Sequence, residues 1–104
     1  MLLNFSPKLC LEKDWDDTID QEATGVRLRY MRQLHNLKVQ QSLSDALRTL
    51  GYTVSIVSIS KWEKGKSVPS IDHLIALRRL YSCRMEDLIV TKRESQNHHD
   101  DNDA

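Results

Sequence analysis

The sequence predicts an all-α domain of five short helices, on three observations. Large apolar residues recur every three or four positions through most of residues 25–90, the period of a helix that buries one face. Gly51 and Gly65 stand just after two periodic runs, and Ser55 and Ser70 stand just before two others; these are helix stop and start signals. The single stretch with strand-like alternation would have no pairing partner in a chain of 104 residues, because an isolated strand is not stable.

In order along the chain, Val26, Leu28, Met31, Leu34 and Leu37 form the apolar stripe of a first helix, from Gly25 to about His35, with Thr24 placed to cap it. Val39, Leu43, Ala46, Leu47 and Leu50 repeat the pattern, and Gly51 ends this second helix. Tyr52 to Ser60 is ambiguous, since Ser alternating with Ile and Val is what a half-buried strand looks like. Ser55 is nevertheless a good N-cap, and Ile59 and Trp62 follow at i, i+3, so a short helix from Ile56 to about Lys64 is expected. Pro69 forces Val68 to be extended, after which Ser70 caps a helix through Ile71, Leu74, Leu77 and Leu80. Met85 to Ile89 supplies a last short turn, with Glu86 and Asp87 at its start.

Formal neutrality hides a partition of charge. Residues 1–24 have four more acids than bases, and residues 94–104 carry four acids and no base. Residues 25–93 hold 13 Lys/Arg against five Asp/Glu, a surplus of eight. A basic middle between acidic ends fits a domain that meets a polyanion, although uneven charge is also what an ordinary solvated surface can show. The organisation expected is an N-terminal extension (1–24), one domain (25–93) and an acidic tail (94–104) whose composition is that of disorder.

Two helices joined by a tight turn containing Gly51, the second short and rich in small polar residues, with a basic loop behind it, outline a helix-turn-helix. The residues Leu28-Arg-Tyr-Met-Arg32, Val39-Gln-Gln-Ser-Leu43, Ile59-Ser-Lys-Trp-Glu-Lys-Gly65, Pro69-Ser-Ile-Asp-His-Leu74 and Met85-Glu-Asp-Leu88 come in the order and near the spacing of one family. Over about Gly25 to Val90 the chain resembles the Cro and phage-repressor helix-turn-helix regulators, also called the xenobiotic-response-element family. The resemblance implies a five-helix repressor-like fold that binds duplex DNA.

It also implies roles for individual residues. Those turned to base edges are Ile56, Val57, Ser60 and Lys61 of the recognition helix. Lys61 can donate to guanine O6 and N7, and Ser60 can donate or accept. Ile56 and Val57 can meet only thymine methyl groups, unless they are core residues turned inward. Gln40, at the start of the second helix, and Ser55, Lys64, Lys66 and Ser67, around the recognition helix, are expected on phosphates; the plainer alternative is a cap and surface lysines. Trp62 is expected to plug the space behind the third helix, Glu63 to pair with Arg32, and Gly65 to adopt positive φ.

Two departures from the family stand out. The turn around Gly51-Tyr-Thr-Val54 is longer than usual by about two residues, which bears on the angle of the recognition helix. Val39 occupies a position where Ser or Thr is usual, so the second helix lacks a side-chain acceptor worth about 1 kcal/mol.

The extension carries Leu2, Leu3, Phe5, Leu9, Leu11, Trp15 and Ile19, too many large apolar groups for a purely solvated tail. It is expected to fold back on the domain or to cross to a second subunit, and its acids could compete with DNA for the basic face. No apolar run approaches a membrane span, the first residues do not make a secretory leader, and a cytoplasmic protein is expected. Cys10 and Cys83 read as reduced thiols, the histidines lack metal-ligand spacing, and no nucleophile and base pair is evident. Neither an enzyme, a cofactor nor a metal is expected. The function expected is a sequence-specific transcriptional regulator, a repressor acting as a homodimer. The alternatives are an antitoxin or mobile-element regulator that holds a protein partner through residues 1–24, and a protein-interaction module that does not bind DNA.

Overall fold

A computed structural model describes residues 18–95. Four α-helices follow one another: α1 (Gln21–Leu34), α2 (Gln40–Thr49), α3 (Ile56–Glu63) and α4 (Ile71–Tyr81). A 3₁₀ turn, Met85–Asp87, is the fifth helical element, and residues 92–95 make one further helical turn. The described residues contain no strand; the short helix expected from Ile56 to about Lys64 is α3, and 52–55 are an irregular linker.

The first helix begins four residues earlier than the periodicity suggests. Its cap is Asp20, whose Oδ1 accepts the Ala23 N–H at 3.0 Å. Thr24, expected as that cap, is instead buried in the helix and serves a different purpose. Its hydroxyl donates to the Val90 carbonyl at 3.2 Å and accepts the Val90 N–H at 3.0 Å. Apolar spacing could not show this, because Gln21 to Ala23 carry no large apolar residue and yet continue the helix over the chain's return at Val90.

All four helices end alike, with a left-handed residue after the last turn. These residues are Asn36, Gly51, Gly65 and Ser82, with φ of 62°, 95°, 75° and 53°. At α1 to α3 the two following amides close back in the Schellman pattern, as in Tyr52 N–H to Leu47 O and Gly51 N–H to Arg48 O, at 3.0 and 2.9 Å. These sharp stops reverse the chain after each helix and wrap the elements around one core of Leu28, Leu43, Leu47, Ile59, Trp62, Leu74, Leu77 and Leu88. Each such aliphatic side chain, when fully buried, contributes about 1.5–3 kcal/mol.

Helices α1 and α3 approach closely at Gly25, which permits the contact. A Cβ at Gly25 would lie 2.6 Å from the Trp62 carbonyl oxygen and 2.7 Å from that of Glu63. Only a residue without a side chain lets the two backbones come so near. Gly65 is constrained twice, by its φ and by the Glu22 Cα, which would stand 2.9 Å from an added Cβ.

Candidate nucleic-acid interface

The linker between α2 and α3 decides how α3 is presented. It is pinned from both sides: the buried Ser44 hydroxyl donates to the Val54 carbonyl at 2.7 Å, and Val54 itself is buried. Arg79 Nη1 donates to the Tyr52 hydroxyl at 3.3 Å, tying the same linker to α4. Tyr52 and Val54 of the turn are thus tied down, while Gly51 before them and Thr53 between them are exposed.

Ser55 then opens α3, its Oγ accepting the Ser58 N–H at 3.1 Å. At the other end an ion pair locks the helix in place. Arg32 Nε donates to Glu63 Oε2 at 2.7 Å and Nη2 to Oε1 at 3.0 Å, with both side chains about 5 % exposed. Arg32 Nη1 also donates to the carbonyls of Leu37 and Lys38, both at 2.9 Å. Gln40 Nε2 donates to Glu63 Oε1 at 3.1 Å. One buried carboxylate therefore joins the end of α1, the start of α2 and the end of α3. Glu63's hydrogen bond raises the Arg32 guanidinium above its already high ordinary value, so Arg32 stays charged across any working pH.

With its inner face anchored through Ile59 and Trp62, α3 turns Ile56, Val57, Ser60 and Lys61 outward. Together with Gln40, Lys64 and Lys66 they line one shallow groove of about 440 Å³. Ile56 and Val57 are 40 % and 64 % exposed, which overturns the alternative that they turn into the core. Of the nine residues assigned to DNA from the sequence, seven thus share a single surface. The two others stand apart from it: the Ser55 hydroxyl is engaged in the cap, and Ser67 is half-buried with its N–H 3.4 Å from the Lys61 carbonyl. Trp62 is buried, with its ring 5.3 Å from that of His73.

At the start of α2, Val39 provides no side-chain cap. In that first turn the Ser42 N–H donates to the Val39 carbonyl at 3.0 Å; the amides of Gln40 and Gln41 have no partner within the helix, and Gln40 lines the groove. The groove holds three lysines and no acid, since Glu63 is spent on Arg32 behind it. Such a surface offers anion-binding amides, mobile cations and exposed methyl groups side by side.

A family model described as helix-turn-helix matches residues 28–88. The chain belongs to the helix-turn-helix family. Its resemblance to the Cro and phage-repressor members, drawn from five short motifs, is borne out by that match and by a relative. Over 60 residues the chain is 43 % identical to the HTH-type transcriptional regulator DicA of Escherichia coli (strain K12), a match covering 57 % of this chain and 39 % of that protein. The chain thus spans less than half the length of that curated relative. No solved structure matches it. In helix-turn-helix terms α2 and α3 are the paired helices, and α3 is the one whose N-terminal residues lie in the major groove of DNA in proteins of this kind.

Sequence reasoning missed Thr24 and Gly25 as the residues that seat the chain's return and α3 against α1. A glycine inside a helical period was the available signal, since such a residue commonly marks a close approach. Among the described residues no helix is long and apolar enough to cross a membrane, and no His, Cys, Asp or Glu cluster could hold a metal ion.

Proposed function

We propose that the protein is a sequence-specific, duplex-DNA-binding transcriptional regulator, working in the cytoplasm, that represses by occupying its site as a homodimer. The observation that carries this reading is the groove on α3, where exposed Ile56 and Val57 lie beside Lys61, Lys64 and Lys66 with no acid among them. Solvent alone gives no reason to expose two β-branched residues at the start of a helix. Two thymine methyl groups in a major groove do.

In this reading Ser60 and Lys61 meet base edges, and Lys64 and Lys66 meet phosphates. The α2 amides at Gln40 add a further phosphate contact, while its side chain, held by Glu63, fixes the angle between α2 and DNA. Ser55 and Ser67, outside the groove lining but next in sequence to Ile56 and Lys66, complete the phosphate contacts in this reading. Dimerisation follows from the size of one such domain: a single recognition helix reads few base pairs, and a two-fold pair on a pseudo-palindrome doubles the number.

The test is selection of a binding site from random duplex DNA, followed by affinity as a function of salt. One preferred sequence with dyad symmetry is expected, with a log–log slope of about −0.9 for each phosphate neutralised. Absence of any duplex binding at low salt would remove the reading and leave a protein-interaction module.

A further inference from the structure

A second groove lies on the far side of α1 and shares no lining residue with the first. It has a volume of about 550 Å³ and is lined by Ala23, Val26, Arg27, Tyr30, Val90 and the turn at Glu94 and Ser95. Its floor is apolar and open to water: Val26 is 67 % exposed and Tyr30 56 %. These two stand at i, i+4, one helical turn apart, and Leu34 extends the stripe by another turn at 57 % exposure. Contiguous exposed apolar surface of this kind marks an interaction site.

The path of the chain says what reaches it. Ile19 pairs with Thr91 in an antiparallel bridge, flanked by Asp20 N–H to Val90 O at 2.8 Å and Lys92 N–H to Thr18 O at 2.9 Å. Ser95 Oγ donates to Asp20 Oδ2 at 2.9 Å, closing the same corner. The chain therefore enters the described structure on the rim of this groove. Immediately before it come 17 residues that contain Leu9, Leu11 and Trp15, the last two also at i, i+4, and the acids Glu12, Asp14, Asp16 and Asp17. Trp15 is three residues from Thr18, within about 10 Å even of a fully extended chain. Arg27, at the groove wall, donates Nη1 to the Asp87 carbonyl at 3.1 Å and keeps Nη2 3.7 Å from Glu94. The lining is thus formally neutral, and it is the apolar stripe, not charge, that a tryptophan-bearing segment arriving here would meet.

We infer that this groove is the docking site of the protein's own residues 1–17, held in cis with Trp15 and Leu11 against Val26 and Tyr30. The segment is thereby kept off α3, and the domain carries its acidic extension without covering the basic groove. This inference is independent of whether that basic groove binds DNA.

The test uses the full chain with Cys83→Ser and a nitroxide on Cys10, read by paramagnetic broadening of backbone amides in dilute ¹⁵N-labelled protein. The expected result is that Val26, Arg27, Tyr30 and Val90 lose more than half of their intensity while Ile56 to Lys66 keep theirs. Tyr30→Glu, at an exposed position, should restore at least half of the lost signal at Val26. Broadening that Tyr30→Glu leaves unchanged would mean a mere tether effect and would overturn the inference, as would undiminished Val26 and Tyr30 amides. Broadening of an unlabelled ¹⁵N copy by a nitroxide-bearing ¹⁴N copy, in place of broadening within one chain, would assign the groove to a second molecule and overturn docking in cis.

Discussion

The two faces of α3 solve opposite problems with the same eight residues. On the inner face Ile59 and Trp62 are buried, and the one acid, Glu63, has both oxygens occupied by Arg32 and Gln40. On the outer face Ile56, Val57 and Lys61 are exposed, with no acid beside them. The difference shows how a short helix is held rigidly while its other side is left unsatisfied for a partner. Substitutions on the inner face should therefore act on stability, and those on the outer face on binding.

The sharpest break comes from Arg32→Ala. Leaving Glu63 charged and buried costs about 3–5 kcal/mol, a large part of the ~5–15 kcal/mol that holds a small domain together; urea unfolding should show it as a midpoint shift. Gly25→Ala comes next, since its methyl would push against the Trp62 and Glu63 carbonyls. Overpacking of that kind costs about 1–3 kcal/mol, measurable by the same unfolding experiment. Lys61→Ala should leave the midpoint within about 0.5 kcal/mol of the parent. It should also reduce discrimination between the preferred site and its base-pair variants by about 1–3 kcal/mol, seen in competition binding.

Two smaller effects sharpen the account of what supports α3. The Ala23 N–H, followed by the Ser95 hydroxyl, holds the Asp20 carboxyl below its ordinary value of 3.8. A lowered folded-state pKa means stabilisation fully present above pH 3.8 and lost as pH falls through the folded value. Asp20→Asn keeps a competent cap, so melting at pH 7 should change by only a few tenths of a kcal/mol, while this part of the acid sensitivity below that point disappears. Tyr81→Phe should be neutral or slightly stabilising, by up to about 1 kcal/mol, because the buried Tyr81 hydroxyl has no hydrogen-bond partner among the described residues. Burial pushes that phenol's pKa well up, so the parent should lose more stability at alkaline pH than Tyr81→Phe, the difference beginning as pH rises past the ordinary tyrosine value of 10.0.

Most of the fold was legible in the sequence because its signals are local. Ser55 and Ser70 cap the helices they precede, and Gly51 and Gly65 take positive φ, all properties of single residues and their neighbours. Asn36 and Ser82 end helices in the same left-handed conformation, yet neither type announces it as glycine does. The start of α1 was misjudged for a non-local reason: Thr24 owes its position to Val90, 66 residues away. The outer face of α3 could be named residue by residue through the family pattern. That Ile56 and Val57 stay outside depends instead on how Ser44 and Val54 seat the linker, a tertiary contact that no periodicity contains. The expectations for residues 1–17 and for the tail beyond residue 95 lie outside the described residues.

The most direct test of the central claim is a titration of the ¹⁵N-labelled protein with its selected duplex, following backbone amides. The account predicts shifts concentrated at Gln40 and from Ile56 to Lys66, with Val26 and Tyr30 on the far side of α1 unmoved. Shifts centred on Val26 and Tyr30, or none at Ile56 to Lys61, would contradict it and show that the outward face of α3 is not what meets DNA.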